Sequence, residues 1–196
     1  MNNLIKIVLL AIFIFIAGCA SMQNGGSWTT LIDGEVGLNN FNRNGDANWT
    51  AVEGAIQATS GSGSSHLVTK REYDNFIIRA EFWSSDDGNS GIHMRCSEPS
   101  RLSSSSCYEV NIFDQREDPR YGTGAIVNVA EIPEPRPKSG GKWSTMEITA
   151  NGDHLVVIFN GMKTVDVRDS THSKGVFGLQ WGRGTIKFRK LEVREL

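Results

Sequence analysis

The chain carries no excess of positive charge: 20 Lys and Arg stand against 22 Asp and Glu, a formal net charge of −2. Without a basic stripe there is no electrostatic footprint for nucleic acid. No apolar run reaches the roughly twenty residues needed to cross a hydrocarbon core about 30 Å thick. The longest, Ile7 to Ile16 (IVLLAIFIFI), is far too short. Cysteine is scarce, with three in the chain. Cys96 and Cys107 have neither C-x-x-C spacing nor a histidine partner, which makes a poor zinc site. No glycine-rich loop follows a strand in the dinucleotide-binding pattern, so no nicotinamide is implied. Nor does any stretch of a dozen residues form a convincing amphipathic helix. Proline numbers only five, three of them crowded into Glu131 to Gly141 (EIPEPRPKSGG), which excludes a central strand there.

The start of the chain is informative. Lys6 precedes the apolar run, which ends in Ala17-Gly18-Cys19. A basic start, a short apolar core and small residues before the cut define a secretion signal. A cysteine directly after the small residues supplies the thiol that lipoprotein processing acylates. The expected organisation is a signal peptide at 1–18, then lipidated Cys19 with a flexible tether to residue 27, and one domain over 28–196. Two or three acyl chains would hold the protein durably at a membrane. Ala20 stands where an Asp would favour inner-membrane retention, so the expected address is the outer membrane.

After residue 28 the apolar residues alternate with period two, the signature of strands. Phe76, Ile78, Ala80 and Phe82 form one inward row; Tyr108, Val110 and Ile112 form a second; Met146, Ile148 and Ala150 form a third. Leu155 to Phe159 (LVVIF) is apolar on both faces and reads as a central strand. Asn160-Gly161 directly after it is a strong hairpin signal, since both residues tolerate positive φ. Phe177, Leu179 and Trp181 alternate again, and Ile186 to Val193 supplies a closing strand. Ser60 to Ser65 (SGSGSS) is a loop. Export into an oxidising compartment predicts a Cys96–Cys107 disulfide around the serine-rich stretch between them. The fold class expected is all-β: a jelly-roll β-sandwich, folded as a monomer.

The outward positions carry more than solvating residues. Parity puts His93 and Arg95 on one face of a strand, Glu109 and Asn111 on another, with Asp114 just beyond. Gln180 turns outward beside the bare backbone of Gly178. If these strands are neighbours, their outer face is a hydrogen-bonding groove suited to a hydroxyl-rich ligand. Trp83 or Trp181 could stack on sugar rings, although Trp181 fits the core better. Each residue also has a plainer reading: His93 as an incidental surface residue, Arg95 with Glu109 as an exposed ion pair, and Asn89-Ser90-Gly91 as a turn.

The ordered motifs resemble the bacterial 3-keto-disaccharide hydrolase family, whose fold is like concanavalin A-type lectins and glucanases. The matching pieces begin with Trp28-Thr-Thr-Leu-Ile-Asp-Gly34, Trp49-Thr-Ala-Val-Glu-Gly54 and Tyr73-Asp74-Asn75-Phe76. They continue through Asn89-Ser90-Gly91-Ile92-His93-Met94-Arg95, Tyr108-Glu109-Val110-Asn111-Ile112-Phe113-Asp114 and Gly124-Ala125-Ile126. Lys142-Trp143, Asn160-Gly161, Gly178-Leu179-Gln180 and Phe188-Arg189 complete the series. Four positions depart from the family pattern: Asn111 replaces the usual Gln, Ser144 an Asn, Val127 a Tyr and Lys190 an Asn.

What the resemblance implies is chemistry on a sugar already oxidised at C3. The ketone acidifies the C2 hydrogen; a base removes it, and the oxygen on C1 leaves by β-elimination. Such a site needs a base, a positive partner for the enolate oxygen and an acid for the leaving group. The resemblance offers Glu109 or His93 as base, Arg95 as the enolate's partner and Asp114 as acid or orienter. Asn89, Ser90, Asn111, Gln180 and Trp83 would bind the sugar. No organic cofactor is implied, and the spacing demands no metal ion while leaving room for a divalent one. Two other readings stay open: a surface glycan-binding module without turnover, and a conventional glycosidase built on two carboxylates, Glu109 with Glu81 or Asp114.

Overall fold

A computed structural model describes residues 26–196. The signal at 1–18, Cys19 and all but the last two residues of the tether lie outside the described residues. Among the described residues the regular structure is thirteen strands and two single 3-10 turns. The strands are β1 (Thr29–Asp33), β2 (Phe41–Asn44), β3 (Thr50–Val52), β4 (Ala55–Ala58), β5 (Ser65–Thr69), β6 (Phe76–Ser84) and β7 (Ser90–Cys96). Then follow β8 (Tyr108–Ile112), β9 (Trp143–Asn151), β10 (His154–Phe159), β11 (Met162–Arg168), β12 (Val176–Trp181) and β13 (Ile186–Glu195).

They form two antiparallel sheets. The back sheet runs β11-β10-β9-β6-β13-β4-β3, with β1 also paired to β13. The front sheet runs β2-β5-β12-β7-β8. Every inward row read from the alternation is buried between them: Phe76, Ile78, Ala80 and Phe82; Tyr108, Val110 and Ile112; Met146, Ile148 and Ala150; Phe177, Leu179 and Trp181. Burying one such Leu- or Phe-sized side chain contributes about 1.5–3 kcal/mol, so these rows dominate the stability of the sandwich. Trp181 is a core residue, and its indole Nε1 donates to the carbonyl of Gly184 at 2.8 Å. Asn160 and Gly161 both take positive φ in the β10–β11 hairpin, as that pair of residues is suited to do.

The segment Leu155 to Phe159 differs from the expectation. It lies one strand from the sheet edge, and Val156 and Ile158 turn half-exposed to the outside. The proline-rich segment is a loop, as its composition requires. Cys96 and Cys107 are bonded to each other and join the ends of β7 and β8.

Candidate functional site

The outer face of the front sheet holds the polar cluster. β7 presents His93 there, β8 Glu109, β12 Gln180 and β5 His66. His93 is opposite Glu109 on one side and Gly178 on the other, while Gln180 is opposite His66. Gly178 lies between the two histidines and has no side chain to part them. The imidazoles meet edge to face, with centroids 4.9 Å apart. His66 is 3% exposed, His93 1% and Glu109 9%. Three buried atoms of the cluster, His66 Nε2, His93 Nδ1 and Gln180 Oε1, have no hydrogen-bond partner. Asn111 Oδ1 on the same face is a fourth; buried polar atoms are nearly always satisfied, so these orphans mark a place where a polar group or water completes the bonding.

Burial governs the charge state. It pushes the His66 imidazole down to about 4. His93 falls to about 3, from burial first and the neighbouring His66 second. Both rings are therefore neutral at pH 7, each able to donate or accept according to its tautomer. Burial also raises the Glu109 carboxyl, against the opposing positive charge of Arg116. The distance from His93 Nε2 to Glu109 Oε2 is 3.7 Å. That is too long for a hydrogen bond, and with a neutral ring it is no ion pair either. Glu109 thus stands beside a neutral imidazole, with burial raising its hold on a proton.

Several residues expected at the groove stand elsewhere. Arg95 does not share the face of His93. Two steps along β12, from Val176 to Gly178, match three along β7, from Cys96 to His93, so β7 carries a bulge. Arg95 sits in it at φ 54. Its guanidinium is buried and donates to the carbonyls of Asp74 (3.0 Å), Gly152 (2.7 Å) and His172 (3.2 Å), and to Asn75 Oδ1 (3.2 Å). It is a clamp on three turns, not a partner for an enolate.

Asp114 is likewise committed to structure. It accepts from Thr123 Oγ1, from the Ser139 amide and from the Gly140 amide, and so holds two loops together. Asn111 faces the groove side but donates to the Tyr121 carbonyl at 2.6 Å, lying beneath the segment that edges β8. Ser90 points the other way and donates to the carbonyl of Gln180 at 2.6 Å. Asn89 remains on the groove side at the rim, beside Gly182. Trp83 belongs to β6 in the back sheet, opposite Trp143, on the far side of the molecule from His93. Glu81 is on that far face too, bonded to Arg189 at 2.7 Å.

Two residues of the site were not anticipated. His66 follows the serine-rich loop in a strand buried on both faces, and a lone histidine among apolar neighbours was its only signal. Arg116, in the turn after β8, is the cation whose charge reaches Glu109. It lines an open cavity of about 660 Å³ with Phe113, Glu117, Asp118 and Pro119. Among the described residues no three His, Cys, Asp or Glu side chains are grouped as metal ligands.

With this geometry in place, comparison with known proteins is decisive on one point. A model of the 3-keto-alpha-glucoside-1,2-lyase-like domain matches residues 27–194. The chain belongs to that family. No curated protein sequence matches it. Among solved structures it is similar to a protein of Parabacteroides distasonis ATCC 8503 classed provisionally as a glycosyl hydrolase, with 25% identity and a TM-score of 0.71. That match covers 87% of this chain and 100% of the other. The carbohydrate-binding module CBM66 of Bacillus subtilis is similar at 18% identity and TM-score 0.59, over 86% of this chain and 95% of that one. Porphyranase B of Zobellia galactanivorans is similar at 10% identity and TM-score 0.58, over 91% and 97%. The last two likenesses concern the fold, which is a jelly-roll β-sandwich, as the alternation and turns predict. Membership of the family places this domain among hydrolase- and lyase-like domains that act on glycosides.

Proposed function

We propose that the domain cleaves 3-keto-glycosides by elimination, with Glu109 as the base. The observation that supports this reading is Glu109 itself: a carboxylate on the outer face of the front sheet, raised by burial and opposite His93, whose Nδ1 has no hydrogen-bond partner. A carboxyl raised above its ordinary range holds a proton more strongly than a free one, which suits a base. The C2 hydrogen of the oxidised ring passes to Glu109 and its electron pair forms the C1–C2 double bond, carried through an enolate whose charge rests on the C3 oxygen. The C1–O bond breaks, and the departing oxygen takes up the proton that Glu109 received. Addition of water across the double bond then gives the free keto-sugar. Arg116, whose positive charge reaches Glu109, would favour an enolate formed beside it.

A two-carboxylate glycosidase is poorly supported, because Asp114 is fully engaged and Glu81 is on the opposite sheet. A glycan-binding module without turnover is the second reading. The nearly solvent-free histidines favour it, since they suit a static hydrogen-bonding floor. Incubating the purified domain with plain and C3-oxidised disaccharides separates the three. Cleavage of the keto-sugar alone, abolished in Glu109→Gln by about 10²–10⁴-fold, is the expected result. Cleavage of the plain sugar would favour the glycosidase, and binding without turnover the module. We further propose that the domain is exported and held at a membrane, in the outer membrane where the host has one, through acyl chains on Cys19.

A further inference from the structure

The outer face of the back sheet is hollow at its centre. A cavity of about 350 Å³ opens there over four adjacent strands, β10, β9, β6 and β13. Register explains its lining. Glu81 of β6 lies opposite Thr145 of β9 and Lys190 of β13, and Arg79 lies opposite Glu147 and Glu192. Thr145 is short, and Gly161 in the β10–β11 turn adds no side chain, so the longer residues around them form walls.

Tryptophans border the hollow at both ends. Trp83 and Trp143 are opposite each other, two residues along β6 and β9 from Glu81 and Thr145. Arg189 reaches from β13 across β6 to lie over the Trp143 ring, 4.4 Å from its centroid. Trp143 still keeps 37% of its surface exposed. At the other end Arg79 and Arg194 lie over the Trp28 ring, 4.3 and 5.0 Å from its centroid. From Trp83 to Arg79 is about 14 Å of strand. Cross-strand aromatic pairs stabilise a sheet, which alone would account for Trp83 with Trp143. It does not account for the hydrogen-bonding groups left unused between the rings.

Among the described residues, each arginine beside the hollow bonds a carboxylate through Nε alone: Arg79 to Glu147 Oε2 and Arg189 to Glu81 Oε2, both at 2.7 Å. Arginine–carboxylate pairs are frequently bidentate. These two leave terminal amino groups and second carboxylate oxygens side by side along the hollow. Exposed pairs of this kind contribute little, so a ligand recruits them at small cost. The charges cancel, Arg79, Arg189 and Lys190 against Glu81, Glu147 and Glu192. That balance favours neither an anion nor an acidic lipid surface, which attracts net positive charge. It suits a neutral molecule with neighbouring hydroxyls, which donate and accept, and an apolar ring face to lie on an indole. A saccharide has both.

We propose that this hollow is a second saccharide site: it binds neutral, unoxidised oligosaccharides against Trp143 and Trp83, with Arg79, Glu81 and Glu147 as hydrogen-bonding groups. It lies on the opposite sheet from Glu109 and does not depend on the keto-glycoside reading. Through it the domain holds plain glycan while its front face stays free.

The test measures binding of maltotriose, cellotriose and laminaritriose to the purified domain by calorimetry, and follows the indole N–H signals of the five tryptophans by NMR. At least one sugar should bind with a dissociation constant of about 1 mM or tighter. It should shift Trp83 and Trp143 and leave the core residues Trp49 and Trp181 unmoved. Trp143→Ala should weaken that binding about tenfold, the scale of a lost stacking contact, with turnover of a C3-oxidised disaccharide unchanged. Thr145→Gln, which lengthens a side chain in the hollow without removing an aromatic, should weaken it by a similar factor. Glu109→Gln and His66→Asn should bind the sugar as the wild type does. Failure of all three sugars to bind would overturn the proposal. So would binding that survives both Trp143→Ala and Thr145→Gln, or that Glu109→Gln or His66→Asn removes, since the sugar would then sit on the front sheet. Co-sedimentation with phosphatidylglycerol vesicles in place of sugar binding, lost in Trp143→Ala, would give the face to a membrane instead. If the keto-disaccharide is not turned over yet the plain sugar shifts Trp83 and Trp143, the reaction reading fails and this site stands.

Discussion

At the scale of single residues, the site is defined by burial without charge. Both histidines are held neutral, His66 at about 4 and His93 at about 3. A folded-state pKa below the unfolded value near 6.5 means that the unfolded chain binds the protons more tightly. The stability these rings confer is therefore present above about pH 6.5 and is lost as pH falls through that value toward 4. Glu109 acts in the opposite sense: raised in the fold, it contributes stability at low pH that fades as pH rises through its folded value. His66→Asn should accordingly lose less melting temperature than the wild type between pH 7 and 4.5. An identical loss in both proteins would show that His66 is already charged or solvated in the fold. The other decisive residue is Arg95. Truncating it to alanine removes four part-buried hydrogen bonds from a charged donor and leaves a cavity, a cost of about 3 kcal/mol. For a domain of this size that lowers the melting temperature by roughly 6–12 °C. The KM of folded Arg95→Ala for a keto-disaccharide should stay close to wild type, and a large rise would return Arg95 to the groove.

At the scale of elements, alternation made the strands and their inward faces legible, and it located Glu109, His93 and Gln180 correctly on an outer face. It failed where a strand breaks step. Parity carries from His93 to Arg95 only if nothing is inserted between them, and nothing in Gly91-Ile92-His93-Met94-Arg95-Cys96 announces the bulge that turns Arg95 away. Nor does alternation reveal which sheet a strand joins. β6 and β7 are consecutive in the chain but lie in opposite sheets, which is why Trp83 was expected beside His93 and is found on the far face. The disulfide was legible from compartment and spacing. Cys96→Ser releases a loop whose closure contributes about 2–3 kcal/mol, so the melting temperature should drop by several degrees. Intact wild-type stability in the Ser variant, or two titratable thiols in the unreduced wild type, would contradict this.

At the scale of the whole molecule, the two outer faces differ in kind. The front carries neutral rings, one carboxyl and one nearby cation. The back is laced with ion pairs such as Arg79–Glu147 and Arg189–Glu81, each at 2.7 Å and partly exposed, which contribute under about 1 kcal/mol apiece. Position in the cell is a separate matter, and the proposal for it concerns the other end of the chain. Cys19→Ser should move the protein from the membrane fraction to the soluble fraction, because acyl chains are the proposed attachment. Retention of that variant in membranes after a high-salt wash would remove the lipid anchor from the account.

The place of β13 has a consequence in time. The last strand of the chain lies in the interior of the back sheet, between β6 and β4, and it also receives β1. Until Ile186–Glu195 arrives, the first and middle parts of that sheet have no common neighbour. A chain emerging N-terminus first, from a ribosome or through a translocation pore, therefore cannot close its sandwich ahead of its final residues. Contacts that join the two ends of the sequence must form together and late, as is usual for slow-folding sheets of this topology.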